Sequence, residues 1–330
     1  MQIIERHPRA NGFNAYYKTE IAPWLAEHES SRQRAATRVK ILTTITLILV
    51  AAIIAAGLLK TGFGPWSEIK DGLGGYIGVA IFTLAIGLFA AFWGTGRLKS
   101  EIKSFLLDKI SAFFSISYSA KAENFPFHEF KSYLPRYDTK RLEDEFSGTH
   151  EGVEFQFSEA KLKQRRGSGE NRSHVVVYHG LLYHFTFSKP FQGYTSVCPN
   201  SGPEWLTTPL WKSGNKQEVE KVRLEDPGFE EVFDVYSSDQ VEARCLLTPS
   251  FMERITALSR KTDTKSLGRL KIIFKENHML VFIKAYKDMF EAGSIFSSLN
   301  NTDHIQALLD ETGIVFDIID TLQINLKTRT

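Results

Sequence analysis

The stretch Ile41–Leu59 reads ILTTITLILVAAIIAAGLL. It holds no ionisable residue, and Lys40 and Lys60 close it at either end. A second stretch, Leu73–Trp93, reads LGGYIGVAIFTLAIGLFAAFW and is equally uncharged. A bilayer core of ~30 Å takes about 20 apolar residues in helical form, and both blocks reach that length. A helix of a soluble domain keeps a polar stripe, whereas these two are apolar on every side, which argues against a pair of buried core helices. A cleaved signal peptide does not fit either, because the first block starts only at Ile41 and a second span follows. The blocks predict a transmembrane hairpin. They divide the chain into a juxtamembrane helix (1–39), the hairpin (40–96, spans 41–59 and 73–93), an amphipathic helix with a linker (97–135) and a separate domain (136–330).

Lys and Arg near the span ends set orientation. Arg32, Arg34, Arg38 and Lys40 precede the first span, and Arg97, Lys99, Lys103 and Lys109 follow the second. The connecting segment KTGFGPWSEIKDG carries only Lys60 and Lys70. Both termini are therefore expected in the cytoplasm, with Trp66, Tyr76 and Trp93 near the interfaces. The basic end of the first helix is placed to touch anionic headgroups, so the lipid bilayer is itself an expected partner. Neither span carries an ionisable side chain, which argues against a transporter or pump and for an anchor. Small residues gather in the outer halves: Ala51, Ala52, Ala55, Ala56 and Gly57 in the first span, Gly74, Gly75 and Gly78 in the second. Such residues let helices approach closely. Packing of the two spans within one chain is the preferred reading, and a homo-oligomer the other.

The rest of the composition is ordinary. The 330 residues are 43% hydrophobic and 24% charged, with a net charge of +2, so no basic excess points to nucleic acid. Two cysteines, Cys198 and Cys245, make no disulfide framework and suit a reducing compartment.

After the second span, GRLKSEIKSFLLDKISAFFSISYSA repeats apolar residues at helical spacing (Leu98, Ile102, Phe105, Leu106, Ile110, Phe113), and KAENFPFHEFKSYLPRYD reads as an irregular linker. From about Thr139 the period changes to two. RLEDEFSG, GVEFQFSEAKLKQRR, SHVVVYHGLLYHFTF, YTSVCP and KVRLED read as strands, with Gly180 as a candidate bulge. LKIIFKENHMLVFIK is a hairpin turning at Glu276-Asn277, and TDHIQALLDETGIVFDIIDTLQIN a closing helix. The expected class is α+β: a mainly antiparallel sheet with inserted helices and a C-terminal helix, for which a pleckstrin-like barrel is one candidate shape.

Chemistry is harder to find. His174, His179 and His184 lie five apart, so in a regular strand His174 and His184 share a face while His179 points the other way. No carboxylate or cysteine stands beside them at metal-ligand spacing, so no metal or other cofactor is expected. The polar loop KQRRGSGENR lacks the context of a phosphate-binding loop and reads as a hairpin tip. The stretch FDVYSSDQVEARCLLTP, Phe233–Pro249, is denser. Ser237 and Gln240 have capping-box spacing, which starts a helix at about Ser238. On that helix Glu242 and Arg244 point roughly 160° apart and cannot pair with each other. Apolar residues surround the helix, which predicts burial and a separate partner for each charge: Arg223, Glu225, Asp226 or Arg260. Asp239, Glu242 and Arg244 are therefore candidate ligand-holding residues, or structural latches, the latter being preferred. No catalytic residue is assigned.

That same string, preceded by LEDPGFEEVF, resembles the signature of the bacterial domain of unknown function 3137 family. YLPRYD, GVEFQFSEAKL, GLLYHFTFSKPFQGYT and FDIIDTL fit in order. The resemblance covers roughly 130–325, with Cys245 standing where an aromatic residue is more usual. It implies an uncharacterised protein of the bacterial plasma membrane, and proximity to LemA-type membrane proteins as partners. Together with the anchor, the expected function is a cytoplasm-facing binding or scaffold module. The alternatives are a membrane-tethered enzyme using carboxylates of the 234–242 segment, or an accessory subunit of a larger membrane complex.

Overall fold

The computed structural model describes residues 3–61, 66–150, 152–167, 172–209, 219–262, 267–291 and 293–323. The tip of the predicted hairpin loop at 168–171 and residues 62–65 of the segment joining the two spans lie outside these residues. The chain forms two compact units: Met1–Ile4, Gly12–Leu106 and Ala292–Gln306 in one, and Glu5–Asn11, Leu107–Glu291 and Ala307–Thr330 in the other.

The first unit is helical. Helix α1 (Phe13–Tyr16) passes through a π-helical turn (Tyr17–Ile21) into α2 (Ala22–Thr61), then come α3 (Trp66–Phe92) and the start of α4 (Thr95–Phe113). Two of the helices are long and apolar enough to cross a membrane, and only 11% of the apolar window of each is buried. Leu47, Ile48, Ile81, Phe82 and Phe89 are exposed around them. A core helix of a soluble protein would have hidden these side chains. The two helices meet where a small residue faces a larger one: Gly57 opposite Tyr76 and Leu73, and Gly87 under Thr46. The expected packing of small residue on small residue is not made. Gly74 and Gly78 look into open space, and the alanines Ala51, Ala52, Ala55 and Ala56 are exposed. The close approach is made by one glycine on each helix, Gly57 and Gly87, and not at Gly74 and Gly78.

Below the spans, the Trp24 ring stacks on Phe105 at 3.9 Å. Arg32, counted above among the basic residues flanking the first span, is buried and forks onto Glu29, with Nη2 2.7 Å from Oε1 and Nε 2.9 Å from Oε2. The pair also holds the 292–306 segment: Arg32 Nη1 donates to the Ile295 carbonyl and Leu299 N–H donates to Glu29. A fork of this kind leaves neither buried charge unpaired.

The second unit is built on one antiparallel sheet of nine strands: β1 (Ser117–Lys121), β2 (Thr139–His150), β3 (Val153–Arg166), β4 (Ser173–Thr186), β5 (Tyr194–Pro199), β6 (Glu220–Val222), β7 (Phe233–Ser237), β8 (Leu267–Lys275) and β9 (His278–Ala285). Their order is β1-β2-β3-β4-β9-β8-β5-β7-β6. Among the described residues the sheet is open, with β1 and β6 at its ends and no pairing between them that would close a pleckstrin-like barrel. Short helices α5 (Phe127–Phe130), α6 (Glu204–Thr207) and α7 (Pro227–Glu230) lie in the connections, α8 (Gln240–Leu246) and α9 (Pro249–Thr262) precede the last hairpin, and α10 (Asp303–Gln323) closes the chain.

Two sequence expectations shift here. The amphipathic helix ends at Phe113, and Ser115, at φ 58°, turns the chain into the edge strand β1. The supposed linker is a lid. Phe125, Phe127, Phe130, Tyr133 and Leu134 are buried on one face of the sheet against Leu162, Tyr178, Leu182 and Phe282. The other face carries Phe157 between Phe146 at 4.5 Å and Tyr183 at 5.1 Å, with Phe290 folded over them. With both faces covered, central strands such as β9 are buried at nearly every position, where a one-sided sheet would alternate.

Candidate functional site

The stretch Phe233–Pro249 forms β7 and then α8. Asp239 caps α8, its Oδ1 accepting from the N–H groups of Val241 and Glu242 at 2.9 Å each, so the helix starts at Gln240 and is shorter than expected. Ser237 is occupied elsewhere: its one hydroxyl proton is shared between the Tyr194 and Asp239 carbonyls, 2.9 and 2.8 Å away. Only one side of α8 is buried. Glu242, Ala243 and Leu246 face inward, while Val241 (72% exposed), Arg244 and Cys245 face solvent. Arg244 is therefore not a buried latch. It turns back along its own helix onto the Gln240 carbonyl and side chain at 3.2 Å. Two apolar residues on the outer face had made the helix look buried all round. Glu242 is buried and accepts from Gln192 N–H at 3.3 Å, a residue of the loop before β5 that is absent from the four candidate partners. Asp234 pairs with Lys221 across β6–β7 at 2.5 Å. The charges of this stretch are each engaged close by: Asp239 and Glu242 with backbone N–H groups, Arg244 with its own helix and Asp234 with Lys221.

The histidines of β4 lead further. A bulge opposite Leu162–Lys163 leaves Val177 extra, so the irregularity falls before Gly180. Gly180 has another role: a Cβ there would run into the Ile283 carbonyl of β9. His174 is exposed near the strand start. His179 and His184 do take opposite faces, and each finds partners that the sequence leaves far apart.

His179 Nε2 lies 2.7 Å from Oε1 of Glu159 on β3 and 3.3 Å from Oδ1 of Asp288 in the segment after β9. Glu159 and His179 are diagonal neighbours, since Glu159 opposes Leu181 and Lys161 opposes His179. The segment after β9 is pulled over this face by the buried Met289 and Phe290. Its Met289 N–H donates to Glu159 Oε2 at 3.1 Å, and its Lys287 pairs with Glu311 of α10 at 2.9 Å. Lys161 Nζ completes the cluster, 2.8 Å from Asp288 Oδ1. The side chains of Glu159 and His179 are 8% and 11% exposed, whereas that of Asp288 is 56% exposed, so the cluster has a closed back and an open front. Burial pushes the Glu159 carboxyl up, against the pull of His179 and of the Met289 N–H. The hydrogen bond from Lys161 holds the Asp288 carboxyl down. One imidazole and two carboxylates, with ligand atoms within 4.8 Å of one another, form a donor set that can hold a cation or pass a proton. Spacing along the chain shows neither carboxylate, because Glu159 comes from the neighbouring strand and Asp288 stands 109 positions after His179.

On the opposite face, His184 is buried with Nε2 unpartnered, and the ring of His278, whose Nδ1 is also buried and unpartnered, lies 4.7 Å away. Burial, with His278 and His128 nearby, pushes the His184 imidazole down to about 4. On β8, Lys271 is fully buried. Its Nζ donates to the carbonyls of Trp205 and Thr208 at 3.0 and 2.8 Å, and burial lowers it to about 8. Burial also pushes up the thiol of Cys198, which sits near it and shares a 3.1 Å contact with Ser196 Oγ.

Comparison with known proteins places part of this chain. Residues 176–324, which run from β4 into α10, match the family described as "Protein of unknown function (DUF3137)". No curated protein matches the sequence. Among solved structures, the mycobacterial trehalose monomycolate transport factor A, TtfA, is 9% identical over 67% of this chain and 94% of its own, with a TM-score of 0.34. A similarity at that level supports neither a shared fold nor a shared function.

Proposed function

We propose that this chain, whose residues 176–324 match DUF3137, is a membrane-anchored binding or scaffold module of the bacterial plasma membrane. The observation that carries the reading is the pair of long helices, Phe13–Lys60 and Leu73–Phe113, in each of which only 11% of the apolar window is buried. Exposed apolar surface on that scale is stable only against lipid or another protein. The basic residues Arg34, Arg38, Arg97 and Lys99, all exposed, lie just outside the spans and support cytoplasmic termini. A sheet domain with two covered faces then stands on the cytoplasmic side. LemA-type membrane proteins or a second copy of the chain are its proposed partners. Asp239 and Glu242 satisfy backbone N–H groups, which favours a structural role for them over the enzymatic alternative.

The chain provides its own topology probe, since Cys245 is exposed and Cys198 is buried. In membranes washed with alkaline carbonate the protein is expected to stay in the pellet. A membrane-impermeant maleimide should label Cys245 in inside-out vesicles and not in right-side-out ones. Release into the supernatant removes the anchor, and labelling only in right-side-out vesicles reverses the topology.

A further inference from the structure

We propose that Glu159, His179 and Asp288 form a binding site for a divalent transition-metal ion of the zinc type, with Lys161 as the resident counter-charge when metal is absent. Three elements contribute: β3, β4 and the segment after β9. Zinc bound by nitrogen and oxygen sits about 2.0–2.2 Å from each ligand, so tetrahedral ligand atoms lie about 3.3 Å apart. The His179–Asp288 distance of 3.3 Å already has that value, and the 2.7 Å His179–Glu159 hydrogen bond would open by about 0.6 Å as metal replaces the shared proton. The ligand atoms all lie within 4.8 Å of one another.

The surroundings suit a metal as well. The second oxygen of Glu159 is held by Met289 N–H, which fixes the carboxylate plane as outer hydrogen bonds do at metal centres. The closed back, made by Glu159 and His179, desolvates the ion. The open front at Asp288 gives it access and leaves a fourth position for water. One imidazole among the ligands selects the zinc–cobalt–nickel group over magnesium and calcium, which take oxygen. The two carboxylates carry one negative charge more than Lys161 neutralises. Lys161 is 31% exposed at its side chain, so it can swing into solvent when a divalent ion arrives.

The test uses the full-length, tag-free protein in detergent, stripped with chelator. Zinc is titrated in competition with a chromophoric chelator, and cobalt is followed through its visible d–d bands. The expected result is one equivalent per chain with tetrahedral cobalt intensity. His179→Ala and Glu159→Gln should weaken zinc by about 100-fold. Asp288→Asn, at a position 56% exposed, should weaken it by about tenfold, with circular dichroism confirming that the variant is folded. Lys161→Met should tighten it by about tenfold, because it removes a positive charge from beside the ion. A buried latch with no metal function would respond to none of these through Lys161. Absence of a stoichiometric site in the unsubstituted protein, or zinc binding unchanged by Asp288→Asn and Lys161→Met, overturns the proposal.

Discussion

Single side chains show how burial sets chemistry in this protein. Lys271 is fully buried, yet it is satisfied by two carbonyls at the end of α6. Its ammonium falls to about 8, below the ordinary value of 10.5, because burial disfavours the charged form. Below the folded value both states hold the proton and stability does not change. Between about 8 and 10.5 only the unfolded chain stays protonated, so stability rises with pH, in total by on the order of 3 kcal/mol. Cys198 works in the opposite direction. Its raised thiol keeps a proton that the unfolded chain loses, so it lowers stability as pH rises. Lys271→Met separates the two. Thermal unfolding of wild type and variant in detergent should diverge in favour of the wild type from pH 8 upward, and parallel curves would contradict the assignment. His184 gives the acid counterpart. Its imidazole is pushed down to about 4, so stability falls as pH drops from 6.5 through 4, while the unfolded chain takes up a proton that the folded one refuses. His184→Phe should flatten that part of the profile. The carbonyls that hold Lys271 lie more than 60 positions away, and along the chain Lys271 reads as a routine exposed position of a strand.

At the scale of elements, periodicity carried most of the information. The alternation from Thr139 marks β2 and β3, and the Glu276-Asn277 turn sets the β8–β9 register, with Lys275 opposite His278. What periodicity misread was context. In α8 the apolar Val241 and Cys245 are exposed, which a hydrophobicity pattern cannot anticipate at the rim of a sheet. The capping role went to Asp239, two residues after the expected Ser237, because Ser237 is engaged with the Tyr194 carbonyl of β5. Asp239→Ala should lower stability by about 1 kcal/mol, as loss of a helix cap does. Arg244→Ala should change it by less than about 0.5 kcal/mol, because its bonds stay within its own exposed helix turn. Chemical denaturation distinguishes the two readily. Gly180 belongs to this scale too. Gly180→Val would press a branched side chain into the Ile283 carbonyl, and should cost more than either.

For the whole molecule, the sequence by itself determined the two apolar helices, the α+β class and the resemblance to a family of unknown function. Each of these rests on local composition, on spacing within one element, or on strings of adjacent residues. A run of uncharged residues or a period of two is a property of the chain before it folds. The tertiary structure alone decided that the sheet is open, that the linker is a lid, and that the small-residue faces of Gly74 and Gly78 do not pack on the first span. It alone brought Glu159, His179 and Asp288 to one point. Strand pairing joins residues by register rather than by sequence distance, and the buried Met289 and Phe290 draw Asp288 over the face of the sheet. A donor set assembled this way leaves no spacing motif in the chain, because each ligand owes its position to a different packing contact.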